Sequence, residues 1–217
     1  MSRETEKRLA AASAAALVED SMCVGLGTGS TVAHLLVELG RRRAKAVYVA
    51  TSPETERAAA SLGLEVEPFD ASASFDLAID GADQVTEAGW LIKGAGGALT
   101  REKIVAASTK RFVIIVDSFK VVARLHSPVP VEILAFGASS TLRRLAPCAL
   151  RDAPVSPDGG LIADYLGEVH EPAALASRLS STPGVVEHGL FSPDLVSEVF
   201  VGVGESVRHI VVGGEHD

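Results

Sequence analysis

Apolar and polar positions follow two different periods along the first half of the chain. Short continuous apolar runs, "MCVGL" (22–26), "AVYVA" (46–50), "LAI" (77–79) and "FVIIV" (112–116), read as strands buried on both faces. The stretches between them carry apolar residues at helical spacing. Val32, Leu35, Leu36 and Leu39 fall at i, i+3, i+4 and i+7, with Gly40 as the expected C-cap. Glu54 to Ser61 reads as a second helix closed by Gly63, and Thr100 is placed to cap a third, "REKIVAAST". The opening "MSRETEKRLAAASAAALVED" is charged first and alanine-rich later, an amphipathic helix rather than a signal sequence. Strand and helix alternating in this way predict an open, mostly parallel α/β sheet. Such sheets bind ligands beyond the carboxyl ends of their strands.

The pattern changes near Ser127. "SPVPVEIL" sets two prolines before a short strand, and the residues from 151 onward mix brief strand patterns, turn residues and one helix near 172–180. The tail "VSEVFVGVGESVRHIVV" supplies two more strands around Gly204. The expected division is an α/β domain of residues 1–126 plus 199–217 and a small α+β domain of residues 127–198. The segments "VEILAF" and "GVVEHGLF" are more apolar than a domain of some 70 residues can bury alone, so a homo-oligomer, at least a dimer, is expected.

Composition narrows the function classes. Of 217 residues 47% are hydrophobic, enough for a substantial core. The formal net charge of −8 argues against nucleic acid as a partner. The dense basic run Arg41, Arg42, Arg43 and Lys45 falls at a helix end, where cations suit the helix dipole. Two distant cysteines, Cys23 and Cys148, fit a reduced compartment, and the expected location is cytoplasmic. No run of about 18 apolar residues occurs, so no membrane span is expected.

Two segments carry candidate chemistry. "GLGTGSTVAHLL" (25–36) follows a strand and opens a helix, where backbone N–H groups and the hydroxyls of Thr28, Ser30 and Thr31 suit a phosphate. A dinucleotide fingerprint fails, because Ser30 stands at its third glycine and "ATS" ends the next strand without an acid. No Gly-Lys-Ser/Thr is present either, so a sugar phosphate or mononucleotide fits better. Thr51, Ser52 and Thr55 read as helix caps. The second segment, "LAIDGADQVTEAGWLIKGAGGALTREKI" (77–104), gathers Asp80, Asp83, Lys93 and Glu102 on adjacent loops at one sheet edge. Gly81 is expected to bend the "DGAD" turn. A carboxylate base, a cation for a developing oxyanion and a second carboxylate are what an enolisation needs. Turn chemistry and the helix dipole could account for each residue singly. A helix N-terminus lowers a carboxylate pKa while a general base benefits from one tuned toward neutrality, so burial on substrate binding would have to compensate.

"GLGTGST", "IDGAD", "KGAGGALTREKI", "PVPVEI" and "PGVVEHGLF" together resemble the type A ribose-5-phosphate isomerases, in order and spacing, from about residue 7 to the C-terminus. The resemblance implies a Rossmann-like sheet with a smaller, ferredoxin-like α+β domain. It implies interconversion of D-ribose 5-phosphate and D-ribulose 5-phosphate through an enediol(ate), in the pentose phosphate pathway. Carried over by motif, Glu102 moves the proton between C1 and C2, while Asp80, Asp83 and Lys93 hold and polarise the sugar oxygens. Thr28, Gly29, Ser30 and Thr31, with Gly81, Ala82, Gly94, Ala95, Gly96 and Lys120, are the implied substrate contacts. Lys7 is an implied phosphate ligand by its place in the first helix. No cofactor and no metal are implied, and the assembly would be a homodimer or homotetramer. The chain departs from the family pattern at Ala95, where a glycine is usual, and at "SPDGG" (156–160), where a T-D-N-G-N turn is usual. Two other readings are a sugar-phosphate sensor without catalysis and a coenzyme A transferase-like enzyme using a sheet-edge glutamate as nucleophile.

Overall fold

A computed structural model describes residues 2–69 and 74–212. The chain opens with helix α1 (Arg3–Ala15), capped by the Ser2 hydroxyl on the Thr5 N–H. It continues through β1 (Cys23–Leu26), α2 (Ser30–Arg42), β2 (Val47–Ala50), α3 (Pro53–Ser61), β3 (Glu65–Val66) and β4 (Leu77–Asp80). The hairpin β5 (Gln84–Val85) and β6 (Leu91–Ile92) leads to α4 (Leu99–Ala107) and β7 (Phe112–Asp117). Then come β8 (Val129–Ile133), α5 (Ala138–Arg144), β9 (Cys148–Leu150), β10 (Leu161–Tyr165), α6 (Pro172–Ser180) and β11 (Val185–His188). The chain closes with β12 (Leu190–Phe191), β13 (Glu198–Val203) and β14 (Ser206–Val211).

Seven strands form the central sheet in the order β14-β13-β7-β4-β1-β2-β3, parallel except for the edge strand β14. The four apolar runs are β1, β2, β4 and β7. They read as continuous rather than alternating because both sheet faces are covered. On one face Ala10, Ala14, Leu35 and Leu39 from α1 and α2 pack on Leu26, Ile79 and Ile115. On the other, Val105 and Ala106 of α4 pack with Ala78, Ile114 and Phe191. The chain leaves β1 toward β2 on one side and returns to β4 on the other. The sheet therefore has its topological switch between β1 and β4, where a crevice opens at their carboxyl ends.

The four-stranded antiparallel sheet, order β11-β8-β10-β9, carries α5 and α6 in a βαββαβ succession, the ferredoxin-like arrangement. A third sheet, β12-β6-β5, ties the strand before Lys93 to the segment after β11.

Local expectations needed correction at three points. Helix α2 runs through Gly40 to Arg42, and Arg43 takes the left-handed cap at φ 55°. A Cβ at Gly40 would make only ordinary contact with the residue that ends α3, 3.4 Å from the Leu62 carbonyl, so nothing there demands glycine. Thr100 lies inside α4 rather than capping it; its hydroxyl is drawn to the buried Glu132 carboxylate, and Ala98 is the N-cap. Gly81 stays outside the positive-φ region, which Gly94 and Gly97 occupy instead.

Candidate active site

The site is assembled at the switch point. Gly27 follows β1 and approaches Asp80, the last residue of β4, so closely that a Cβ would fall 1.8 Å from the Asp80 carboxyl carbon. This contact forces glycine there and lets the Thr28 N–H donate to Asp80 Oδ1 at 3.1 Å, beside the Gly81 N–H at 2.7 Å. Asp80 Oδ2 lies 2.7 Å from Lys93 Nζ. Lys93 also donates to the Gly81 carbonyl at 2.6 Å and sits 3.3 Å from Glu102 Oε2. Glu102 Oε2 has no hydrogen-bond partner among the described residues, so its contact with Lys93 is an ion pair rather than a hydrogen bond. Asp80, Lys93 and Glu102 are only 2%, 3% and 3% exposed.

Burial governs the protonation of this group. Desolvation pushes the Glu102 carboxyl up to about 8; Lys93 pulls against that shift and Asp80 adds to it. Burial likewise raises Asp80, with Lys93 opposing. Burial alone would lower the Lys93 ammonium, but Asp80 and then Glu102 hold it above its ordinary value. The helix-dipole effect at the start of α4 is therefore outweighed, and Glu102 sits in the range a general base needs.

Above these groups lies a cavity of about 220 Å³. Thr28, Gly29, Ser30 and Thr31 form one wall, Gly81, Ala82 and Asp83 a second, and Lys93, Gly94, Ala95 and Gly96 a third, with Glu102 and Lys120 completing the lining. All the sequence-derived site residues line this cavity except two. Asp80 lies beneath Lys93, outside the lining, with both oxygens engaged by Lys93, Thr28 and Gly81. Lys7 also falls outside the lining, and its ammonium is held by Glu4 at 2.7 Å. Lys120, by contrast, faces the cavity with no ion pair among the described residues.

Helix α2 opens onto the cavity with Gly29 at its N-cap, φ 107°, and no side-chain cap. Its first-turn N–H groups remain available to an anion. The Thr28 hydroxyl is not free in the same way. It is 2.9 Å from Ser52 Oγ and 3.0 Å from Thr55 Oγ1, and Thr55 donates in addition to the Gly27 carbonyl at 3.0 Å. Ser52 caps α3, as its position implied; the bracing of the glycine loop by Ser52 and Thr55 was not legible. Glu6 was missed as well. Buried on α1, it accepts from the Ser118 N–H and hydroxyl and from the Gly204 N–H, fixing the turn that presents Lys120. A lone glutamate in an amphipathic helix carries no local signal for such a role.

Ala95 introduces no strain, because the positive φ angles of its loop fall at Gly94 (103°) and Gly97 (78°). Its N–H donates to Asp83 Oδ2 at 2.9 Å. The "SPDGG" turn lies against α4 rather than away from the chemistry. Asp158 pairs with Arg101 through two contacts of 2.8 and 2.7 Å, and Ser156 shares Glu132 with Thr100. Among the described residues no group of three or more His, Cys, Asp or Glu could hold a metal ion. No helix there is long and apolar enough to cross a membrane.

Comparison with known proteins gives one consistent finding. Residues 47–206 match the family model of ribose 5-phosphate isomerase A (phosphoriboisomerase A). The chain is 43% identical over 220 residues to the ribose-5-phosphate isomerase A of Gluconobacter oxydans, covering 94% of this chain and 95% of that one. Among solved structures it is similar to ribose 5-phosphate isomerase A from Methanocaldococcus jannaschii, with TM-score 0.91, 33% identity, and coverage of 97% and 100%. It is equally similar, with TM-score 0.91, 33% identity and the same coverage, to a D-ribose-5-phosphate isomerase in complex with phospho-erythronic acid.

Proposed function

The chain belongs to the ribose 5-phosphate isomerase A family, and from that premise we propose how its own residues carry the isomerisation. The enzyme interconverts D-ribose 5-phosphate and D-ribulose 5-phosphate, an aldose–ketose isomerisation of the pentose phosphate pathway. The observation that carries the assignment of roles is the buried Glu102–Lys93–Asp80 group beneath an open cavity. Glu102 removes the proton from C2 of the open-chain aldose. The C1–C2 double bond forms as electrons move onto the carbonyl oxygen, where the Lys93 ammonium stabilises the charge. Glu102 then returns the proton to C1 as the O2 hydroxyl proton passes to the O1 oxyanion, and the ketose carbonyl forms at C2. Asp80 keeps Lys93 charged and aimed, while Asp83 faces the sugar hydroxyls and assists ring opening. The N-terminus of α2 and Lys120 take the phosphate. The phosphosugar acid in the related complex has the anionic group and polyol such a cavity would hold. The sensor and coenzyme A transferase readings give way to family membership.

The Glu102 assignment sets the pH dependence. The base must be ionised, and its carboxyl is raised to about 8 in the free enzyme. We expect kcat/KM to fall about tenfold per pH unit below that value. Lys93, held above its ordinary value, stays charged across the same window. A kcat/KM profile from pH 5 to 10 measures this, and an acid limb centred in the ordinary carboxylate range would count against Glu102 as the base.

Lys120 should act on binding. Lys120→Ala is expected to raise KM by roughly 10-fold with kcat within about threefold, the signature of lost uniform binding. Unchanged steady-state constants in the folded variant would make it an ordinary surface lysine.

The same reading extends to assembly and location. Phe136 is 93% exposed, and Leu134, Leu150 and Leu166 are each about half exposed on or beside the ferredoxin-like sheet. These support a homodimer or homotetramer formed through the smaller domain, residues 127–198, packed beside the catalytic unit of residues 1–126 plus 199–217. Light scattering at micromolar concentration should report at least a dimer, and Phe136→Asp should shift it toward monomer. Free Cys23 and Cys148 suit the cytoplasm.

A further inference from the structure

Residues 94–97 form a wall between two cavities. The substrate cavity lies on one side; on the other is a second cavity bordered by Arg57, Ala98, Arg151 and Ile162, and Ala95 and Gly96 line both. Arg151, just after β9, reaches the wall from the second side. Its guanidinium makes a two-pronged pair with Asp164 of β10, Nε to Oδ2 at 2.9 Å and Nη2 to Oδ1 at 2.5 Å. Its Nη1 donates to the carbonyls of Gly94 at 3.2 Å and Ala95 at 2.9 Å.

That contact has a directional consequence. In a trans peptide the C=O and N–H point in opposite directions. Drawing the Ala95 carbonyl toward Arg151 turns the Gly96 N–H the other way, toward the substrate cavity. The preceding peptide is fixed at both ends, by Arg151 on the Gly94 carbonyl and by Asp83 on the Ala95 N–H. The Ala95–Gly96 peptide is fixed only at its carbonyl, and its N–H has no hydrogen-bond partner among the described residues. Gly94 and Gly97, both at positive φ, give this loop a backbone freedom that an external anchor must remove. A cationic hydrogen bond to the carbonyl also polarises the peptide and strengthens its N–H as a donor.

We propose that Arg151, held by Asp164, is a positioning residue for the isomerisation: it aims the Gly96 N–H at the oxygen that gains charge in the enediolate. The proposal rests on the reading of Glu102 and Lys93 given above. It assigns the ferredoxin-like sheet a part in catalysis, as the platform from which the substrate loop is held.

The test is Arg151→Ala, compared with Arg151→Lys and with Glu102→Gln. Misdirecting one oxyanion donor should lower kcat by about 10- to 100-fold, with KM within about threefold. Added guanidinium ion should restore part of kcat in Arg151→Ala and none in Glu102→Gln, a rescue that a general loss of packing would not show. Arg151→Lys keeps a cation for Asp164 but cannot hold both carbonyls in a fixed fork, and should still lose several-fold in kcat. A kcat within twofold of the parent, a loss confined to KM, or a kcat loss untouched by guanidinium would each overturn the proposal. If Arg151→Ala does not fold, full kcat in Arg151→Lys overturns it and a several-fold loss supports it. Near-normal turnover in Glu102→Gln would remove the base assignment instead, so the two failures are distinguishable.

Discussion

Glu102→Gln should reduce kcat by at least roughly 10², while a phosphosugar inhibitor binds nearly as well and the melting temperature moves by only a few degrees. Glutamine keeps the size of the side chain but cannot accept a proton from carbon. A positioned base contributes about 10²–10⁴ in rate, so the loss belongs in kcat. Stability should barely change, for an electrostatic reason. With its carboxyl raised to about 8, Glu102 is mostly uncharged near neutral pH, and Lys93 is already neutralised by Asp80 at 2.7 Å. Replacing a buried neutral acid by a buried neutral amide leaves that pair intact. The decisive measurement sets kcat beside inhibitor affinity and melting temperature for both proteins. Near-normal kcat in Glu102→Gln would falsify the base assignment and return the glutamate to a helix-terminal role.

Lys93→Ala is expected to be damaging in two respects. It removes the cation beside the developing oxyanion, which should lower kcat by about 10²–10³. It also leaves Asp80 buried without a counter-ion, a change that typically destabilises by about 3–5 kcal/mol. For a chain of this length that corresponds to a fall in melting temperature of roughly 6–20 °C. The deficit should depend on pH in a defined direction. Without Lys93, burial holds the folded-state pKa of Asp80, already raised in the parent, further above its unfolded value. Such a group is tolerated while protonated, below the unfolded pKa, and destabilises increasingly as pH rises through the folded one. The gap between variant and parent should therefore narrow toward pH 4 and widen toward pH 8. Thermal melts of the two proteins at both pH values check this. A gap independent of pH would mean that Lys93 contributes packing rather than charge compensation.

Much of this architecture could be read from residue patterns. Continuous apolar runs marked β1, β2, β4 and β7, and the i, i+3, i+4, i+7 spacing marked α2, because burial on two faces or on one stripe leaves a local periodic trace. The same holds for the glycine loop entering α2 and for the acids at the end of β4, since turn chemistry depends on a few adjacent residues. Element ends were less legible. Gly40 signalled a cap from its own properties, yet α2 continues past it to Arg42 and the left-handed cap falls on Arg43. Thr100 was diverted by Glu132, 32 positions away.

By itself the sequence determined the main strands and helices of the parallel sheet and which reactive side chains lie at its carboxyl edge; α5 and the short strands β3, β5 and β6 carried no pattern that marked them. Only the tertiary structure decided what those side chains become. The upward shift of Glu102, the placement of Asp80 behind Lys93, the exclusion of Lys7 from the cavity lining and the reach of Arg151 across 56 positions to Ala95 leave no local trace. The physical reason is that propensity and periodicity act through neighbours along the chain. Desolvation and ion pairing act through neighbours in space, and those are chosen when the two sheets and their helices pack.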